Sequence, residues 1–313
     1  MAERRMWADK RYHSADWEMK HRFGGKVYRV ALDGGFSCPN RDGTLGYGGC
    51  TFCSAGGSGD FAASRSLSIH DQIDQGFAFL SGKPHDNRCI AYFQAFTGTY
   101  GPAERLRSLY EEALSHPRVV ALAIATRPDC LGEDVLDLLA ELSERKPVWV
   151  ELGLQTIHEK TAARIRRGYP LRVFEKAVTD LTDRHLETIV HMILGLPEES
   201  PADMLATAEY LAGQPVSGIK LQLLHILKGT DLYRDYLQGR CQAMTLEAYT
   251  DILIDCIMAL PQEMVIHRIT GDGPRDLLAA PLWSLDKKRV LNHLHHEMKL
   301  RDAWQGKTYK GET

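Results

Sequence analysis

The sequence predicts an α/β protein, built as a (β/α)6 partial TIM barrel with short N- and C-terminal extensions. Three observations predict this fold. Six short apolar runs have the length of buried strands, amphipathic helical patterns separate them, and a polar or glycine-rich segment follows each run. Strands that are apolar on both faces and alternate with helices form parallel sheets with right-handed crossovers.

The six strands are predicted from runs rich in aliphatic and β-branched residues. They begin at Tyr28, Cys89, Val119, Val148, Thr188 and Gly218. Between the first two, Ile69, Ile73 and Phe77 share one helical face, and similar spacing recurs after the second, third and fifth runs. These segments are the predicted crossover helices.

A doubly wound open sheet has the same local pattern and stays open as an alternative. The positions of the motifs favour the barrel, in which the active site lies at the C-terminal ends of the strands. Polar or glycine-rich residues cluster at all six ends, in residues 38–59, 94–99, 126–129, 151–155, 195–197 and 225–230. We therefore expect one functional rim.

Three segments are expected along the chain. Residues 1–25 form an N-terminal extension, residues 26–240 the partial barrel, and residues 241–313 a C-terminal α/β extension that is a candidate substrate-binding element. In the last segment, apolar spacing predicts a helix from Leu246 to Leu260, followed by a strand around Ile266 and a basic helix from Asp286.

Composition indicates a soluble globular protein. The 313 residues are 44% hydrophobic and 25% charged, and no apolar run has the length of a membrane span. The N-terminus carries charges throughout and lacks the apolar core of a secretory signal. Seven cysteines, an odd number with one close pair, favour a reducing compartment. We expect a cytoplasmic location and no membrane association.

The formal net charge of −3 is unevenly distributed. Residues 1–30 carry eight Lys/Arg against four Asp/Glu, and residues 281–313 carry seven against four, so the two ends total +7 and the middle −10. If the ends meet in space, they form a basic surface suited to phosphates. The alternative is solvated charge on terminal helices.

The strongest chemical signal is Cys38, Cys50 and Cys53, which lie on a glycine-rich segment after the first strand; we call residues 38–59 the cysteine loop. Three thiolates form a soft metal site. A structural zinc is normally closed by four protein ligands, whereas a [4Fe–4S] cluster held by three cysteines keeps one iron open. The residues favour the cluster, and zinc with His13 or Cys89 as fourth ligand is the alternative.

The motifs CPNRDGT, GGCTFC, YFQAFTGTY, TRPD, ELGLQT, LGLPEE and HILKGT run over most of the chain. In this order they resemble the radical S-adenosylmethionine superfamily, and within it a small bacterial family linked to side-chain maturation of the tRNA wobble uridine. Eleven residues separate Cys38 from Cys50, instead of the commoner three, which is similar to the elongator-like branch. Phe52, directly before Cys53, fits the superfamily pattern.

The resemblance implies two cofactors, a [4Fe–4S] cluster on the three cysteines and S-adenosylmethionine, whose reductive cleavage gives a 5′-deoxyadenosyl radical. It also implies residues that bind S-adenosylmethionine. Gln94 and Thr97 would approach the methionine amino group. Glu151, with Gln155 nearby, would meet a ribose or an ammonium group, although a structural salt bridge is the alternative for Glu151.

Further residues follow from the same resemblance. Arg167 would contact the methionine carboxylate, with Arg164 and Arg166 as rivals. Gly195 and Pro197 belong to the segment that would bind adenine, where glycine permits close approach. The candidate substrate contacts are His225, Lys228, Thr230, His267 and Arg268. A solvated role is the alternative for Lys228.

The preferred function is modification of the C5 side chain of the tRNA wobble uridine, from carboxymethylaminomethyl to aminomethyl. The expected partners are tRNA, an electron donor of the flavodoxin or ferredoxin type, and a methyltransferase that acts downstream. Two alternatives stay open, namely a radical enzyme acting on a small metabolite and a non-catalytic metal-binding scaffold.

Overall fold

The computed structural model describes residues 3–79, 87–271 and 273–311. The strands are β1 Tyr28–Leu32, β2 Cys89–Phe93, β3 Val119–Thr126, β4 Val148–Gln155, β5 Glu187–Leu194, β6 Gly218–Leu223, β7 Ile226–Leu227, β8 Val265–Arg268 and β9 Leu278–Ala280. The helices are α1 Ala15–Phe23, α2 Ile69–Ala78, α3 Ala103–Ser115, α4 Glu133–Ser143, α5 Glu159–Arg164, α6 Leu171–Asp183, α7 Pro201–Ala212, α8 Asp231–Leu237, α9 Leu246–Ala259 and α10 Lys287–Leu300.

The main sheet is a curled parallel sheet of seven strands, in the order β1-β2-β3-β4-β5-β6-β8. All six predicted strands are present, and every neighbouring pair is parallel. Strand order follows chain order without a reversal, which excludes the doubly wound alternative. The partial barrel is therefore confirmed, with one strand more than predicted. The added strand, β8, comes from the predicted C-terminal extension.

Most of the core lies between the outer face of the sheet and the helices that cover it. Buried residues of α2, α3, α4, α6, α7 and α9 pack there against aliphatic strand residues. Helix starts follow local sequence: Ser200 and Asp203 form a capping box at α7, and Ser68 caps α2. Among the described residues, no helix is long and apolar enough to cross a membrane.

The inside of the curled sheet, which we call the lumen, is closed at one end by α1. Met19 packs there with Trp149 and Ile189 in a separate apolar cluster, and Phe23 contacts the Trp149 ring edge-on. Trp149 and Ile189 lie near the starts of β4 and β5. The lumen therefore opens toward the C-terminal ends of the strands.

The two edges of the sheet, β1 and β8, are not paired with each other. Arg29 of β1 and Arg268 of β8 line one opening, together with the exposed rings of Phe61 and Phe79. We call this opening the seam. It gives the lumen a lateral connection to solvent.

Candidate active site

A cavity lies inside the lumen at the C-terminal ends of the strands, where the sequence predicts the functional rim. Its volume is about 190 Å³. Strands β2 to β6 and β8 all contribute lining residues. The cavity brings together most of the predicted site residues: Cys38, Cys50, Cys53, Phe52, Gln94, Thr97, Glu151, Gln155, Arg167 and Arg268.

The cysteine loop is held in place by Arg41. Its guanidinium donates hydrogen bonds to the carbonyl oxygens of Cys53 at 3.1 Å and Ser54 at 2.6 Å. Gly49 has φ near +69°, and a side chain there would meet the Arg41 guanidinium at 2.8 Å. Glycine is favoured at this turn because it adopts the positive φ without strain and leaves room for the Arg41 guanidinium.

Asn40 fixes the other side of the loop. Its amide donates to the Cys50 sulfur at 3.5 Å and to the carbonyl oxygen of Arg166 at 2.8 Å. The Cys53 amide donates to the Cys50 carbonyl oxygen at 3.1 Å, which closes the turn between these two cysteines. The sulfur positions are thus set by hydrogen bonds to the backbone.

The donor set fits an iron–sulfur cluster. Burial raises the pKa of the Cys50 thiol to about 11, and Cys53 adds to the effect. Burial also raises the pKa of Cys53, although Arg41 opposes it. Metal ligation would remove these protons. Among the described residues, no three His, Cys, Asp or Glu side chains converge on the position of a single ion. Three thiols spread around one cavity suit a larger group.

The two residues considered as a fourth zinc ligand lie elsewhere. Cys89 opens β2 opposite Tyr28, at the end of the sheet away from the cysteine loop. His13 lies near Glu18, with 2.9 Å between its Nε2 and the Glu18 carboxylate, and its carbonyl accepts from Ile266 of β8. The zinc alternative with either residue is therefore wrong.

Gln94 and Thr97 follow β2 and border the cysteine loop. The amide of Thr97 donates to the Ser37 carbonyl oxygen at 3.2 Å, and its side chain is buried. The amide of Phe96 donates to the Gly57 carbonyl oxygen at 2.7 Å. The loop and the segment after β2 therefore form one continuous wall.

Glu151 is fully buried on β4 and has three basic side chains as partners within the chain. Arg29 and Lys220 form ion pairs with its carboxylate, and His191 Nε2 lies 2.8 Å from it. Burial alone would raise the pKa of Glu151, but Arg29, Lys220 and His191 together hold it well below its usual range. The structural salt bridge is thus present. Contact with a ribose or an ammonium group stays a prediction, and the side chain does border the cavity.

The partners of Glu151 also contact one another. Lys220 donates to the Tyr92 hydroxyl at 3.1 Å, and its ammonium lies 4.6 Å from the centre of that ring. Arg29 Nη2 lies 3.0 Å from His267 Nδ1. Burial lowers the pKa of His191 to about 4, with Lys220 as the next cause, so this histidine is neutral near pH 7.

Arg167 is buried, and backbone oxygens satisfy most of its guanidinium. It donates to the carbonyl oxygens of Thr156 at 2.6 Å and Tyr169 at 2.9 Å. The predicted contact with a methionine carboxylate stays a prediction. Arg127, which our site prediction omits, borders the same cavity and makes a bidentate pair with Asp129 at 2.7 and 2.9 Å.

Gly195 and Pro197 lie just past β5. Gly195 has φ near +89°, and a side chain there would meet Met244 at 2.8 Å, so the position requires glycine. Ile193, at the end of β5, borders the cavity directly. Gln155 has φ near +71°, and its side-chain oxygen is buried and finds no hydrogen-bond partner among the described residues. A polar atom of this kind inside a cavity is suited to a ligand.

The predicted substrate contacts separate into two groups. His225 and Arg268 border a second cavity that adjoins the first, and His267 packs against Arg29. Thr230 instead caps α8: its hydroxyl accepts from the Tyr233 amide and donates to the Leu227 carbonyl oxygen. Lys228 is exposed and donates to the Asp276 carbonyl oxygen at 3.3 Å. These last two residues make local hydrogen bonds within the chain, and substrate contact by either stays a prediction.

Sequence reasoning missed Arg29, Lys220 and Tyr92, which surround Glu151. A signal was present, because Arg29 and Lys220 are charged residues inside apolar strand runs, as Glu151 is. Charges at such positions are costly to bury unless they pair with one another. One charged or titratable residue on each of several strands is therefore a signature of a polar lumen.

Comparison with known proteins gives the family. Residues 38–211 match the Radical SAM superfamily, and residues 216–300 match the Radical_SAM C-terminal domain. The chain is 46% identical over 302 residues to the uncharacterized protein YtqA of Bacillus subtilis (strain 168), covering 96% of this chain and 94% of that protein.

Two comparisons point to a more distant group. The chain is 27% identical over 164 residues to the tRNA uridine(34) acetyltransferase of Methanocaldococcus jannaschii, which covers 51% of this chain and 30% of that protein. The solved structure of Methanocaldococcus infernus Elp3 with an N-terminal deletion has a TM-score of 0.67, at 18% identity, over 89% of this chain and 64% of that one. At this identity the structural likeness shows the fold alone.

Proposed function

The chain belongs to the radical SAM superfamily, and from that premise we propose that it modifies the C5 side chain of the wobble uridine of tRNA. Membership makes the chain an enzyme whose cofactors are a [4Fe–4S] cluster and S-adenosylmethionine. The proposed reaction converts a carboxymethylaminomethyl group to an aminomethyl group. The observation that carries the proposal is a cavity that joins three cysteine thiols to a polar lumen with a lateral opening.

The choice of tRNA is supported by a relative. The match to the M. jannaschii protein named a tRNA uridine(34) acetyltransferase covers 51% of this chain but only 30% of that protein. The shared part therefore does not include most of that protein. What this chain would share with it is action on a uridine of tRNA, without the acetyl transfer.

The seam suits a nucleobase. Phe61 is 55% exposed and Phe79 is 77% exposed, and both border the opening that also contains Arg29 and Arg268. Single-stranded RNA is bound by stacking of bases on aromatic rings, with cations nearby for phosphates. An anticodon nucleotide at the seam would direct its C5 side chain into the lumen.

The protein's part in the reaction follows from these positions. When bound, the two cofactors supply a 5′-deoxyadenosyl radical, which removes a hydrogen atom from an unactivated carbon. Cys38, Cys50 and Cys53 would hold the cluster, and Gln94, Thr97, Gln155 and Arg167 border the space for S-adenosylmethionine. The closed end of the lumen, packed by Met19 and Trp149, would keep bulk solvent from entering the cavity at that end.

The overall conversion balances without a further oxidant. The C–N bond to the carboxymethyl unit breaks, water supplies the new carbonyl oxygen, and the two-carbon unit leaves as an oxo acid. That two-electron oxidation is matched by reduction of S-adenosylmethionine to methionine and 5′-deoxyadenosine, with one proton released. The aminomethyl product is the substrate that a downstream methyltransferase would require, and a flavodoxin- or ferredoxin-type protein would prime the cluster.

Basic side chains on α10 are available for the RNA backbone. Lys288, Arg289 and His293 line a groove there, together with the carboxylates of Glu247 and Asp286, within the predicted C-terminal extension. We propose that this segment contributes to tRNA binding. Replacing Lys287, Lys288 and Arg289 by Gln should weaken tRNA binding and reduce its salt dependence, because fewer counterions would be released.

Nucleoside mass spectrometry of tRNA tests the proposed function. We expect cells that lack the protein to accumulate carboxymethylaminomethyl-uridine and to lose aminomethyl-uridine with its methylated product. Complementation with the wild-type gene should restore the pattern, whereas a Cys53→Ser variant should not. An unchanged set of wobble uridines in the deletion strain would refute the proposal.

A further inference from the structure

The end of the lumen beneath the cavity carries an unusual set of charges. We call Arg29, Tyr92, Glu151, His191, Lys220 and Arg268 the lumen floor. Of these, Tyr92, Glu151, His191, Lys220 and Arg268 border the same cavity as the cysteine thiols. Six strands contribute one residue each, so the lumen floor is assembled by the fold and not by one motif.

Two cations share one carboxylate there. Arg29 and Lys220 both form ion pairs with Glu151, and among the described residues that line the cavity Glu151 is the one carboxylate. Lys220 is 3% exposed and Glu151 is 0% exposed. Burying a cation costs free energy unless an anion pairs with it. Two cations beside a single carboxylate therefore leave at least one positive charge that a ligand can neutralise.

Arg268 extends the positive charge toward the openings. It is the register partner of Lys220 on the neighbouring strand, and it borders the main cavity, the second cavity and the seam. Gln222, two residues beyond Lys220 on β6 and therefore about 7 Å further along the strand, also borders the first two. A side chain that enters through the seam thus passes Arg268 before it reaches Lys220.

We propose that Lys220 and Arg268 bind a carboxylate group of the substrate and thereby determine which side chain is accepted. This inference rests on the proposed function, in which the accepted group is carboxymethylaminomethyl and ends in a carboxylate. Glu151 acts as a positioning residue, because it holds Lys220 against the Tyr92 hydroxyl. The carboxylate would fix the neighbouring methylene, from which hydrogen is removed, at a constant depth in the lumen.

The test compares two RNA probes. Each is an anticodon stem-loop with a modified wobble uridine, one bearing the carboxymethylaminomethyl group and the other its neutral carboxamide. Binding is measured by fluorescence anisotropy with cluster-loaded enzyme and S-adenosylmethionine, without a reductant, so that no turnover occurs. We expect wild-type enzyme to prefer the acid by roughly 10- to 100-fold, the range of a charge-assisted hydrogen bond.

Arg268→Gln should reduce this preference to within about threefold, whereas Arg268→Lys should retain most of it. Lys220→Met should also reduce the preference for the acid. If this buried substitution impairs folding, Arg268→Gln alone carries the test.

Equal affinity of wild-type enzyme for acid and amide would overturn the inference. So would variants that lose affinity for S-adenosylmethionine while the acid preference persists, because the cations would then serve the cofactor. Wild-type enzyme that binds neither RNA would overturn the proposed function as well.

Discussion

The cysteine loop and the lumen floor border one cavity but are built in opposite ways. The loop carries its three thiols within sixteen residues of irregular backbone, Cys38 to Cys53, held by Arg41 and Asn40. The floor takes single residues from strands far apart in the chain and fixes them by ion pairs with Glu151. The loop serves a cofactor that requires cysteine thiols as its ligands. In the floor, each residue can be substituted separately, which suits a surface that selects a substrate.

The largest effect is expected from the loop. Cys50→Ser removes one of three cluster ligands, and we expect loss of bound iron and sulfide together with loss of 5′-deoxyadenosine formation. Iron analysis and chromatography of the nucleoside products measure both. Cys130→Ser is the matched control, because Cys130 is also partly exposed but does not border the cavity. A Cys50→Ser protein with wild-type iron content and activity would contradict the account.

A change at the floor should instead affect stability. Glu151→Gln leaves the buried Lys220 and the half-buried Arg29 without their carboxylate, and we expect the free energy of unfolding to fall by about 3–5 kcal/mol. Urea unfolding followed by circular dichroism measures it. Glu141→Gln is the control, since Glu141 pairs with Arg107 on the exposed surface and its loss should change little. Similar stability of the two variants would show that the buried network contributes nothing.

The smallest expected effect is on pH dependence. Burial lowers the pKa of Lys220 to about 7. Glu151 raises this pKa, but Arg29 and Arg268 lower it again. Lys220 is therefore charged below about pH 7 and neutral above it, while Glu151 stays ionised and His191 neutral. The preference for the carboxylate RNA should fall several-fold between pH 6 and pH 8. In Lys220→Arg it should stay constant, since arginine keeps its charge. A flat profile in the wild-type enzyme would remove Lys220 from substrate recognition.

The difference between the two regions also explains what the sequence could predict. The three cysteines, with the glycines around them, form a contiguous motif, and their chemistry can be predicted without knowledge of the fold. The strands can be predicted equally well, because runs such as those at Val119 and Val148 are apolar on both faces and are expected to be buried. Those features supplied the barrel and the position of its rim.

The floor could not be predicted in the same way. Arg29, Lys220 and Glu151 lie on β1, β6 and β4, and only the curl of the sheet brings them into contact. The sequence showed Glu151 as a costly buried acid but did not identify its partners. Arg167 illustrates the same difficulty: its chemistry suits a ligand carboxylate, yet its hydrogen bonds go largely to carbonyl oxygens of the chain.

One strand of the main sheet comes from outside the six predicted βα units, for a related reason. The sequence predicts a strand around Ile266 but places it in a C-terminal extension, since a helix and a loop separate it from those units. In the structure it pairs with β6 as β8. This pairing places Arg268 beside Lys220, so the predicted C-terminal extension supplies part of the lumen.

The most direct test follows a hydrogen atom from substrate to cofactor product. The stem-loop RNA is synthesised with deuterium in the methylene between the nitrogen and the carboxylate, and it is incubated with reduced, cluster-loaded enzyme and S-adenosylmethionine. We predict that 5′-deoxyadenosine carries deuterium and that the RNA is converted to its aminomethyl form. Formation of 5′-deoxyadenosine without deuterium, with the RNA unchanged, would contradict the claim that this cavity generates a radical to act on that side chain.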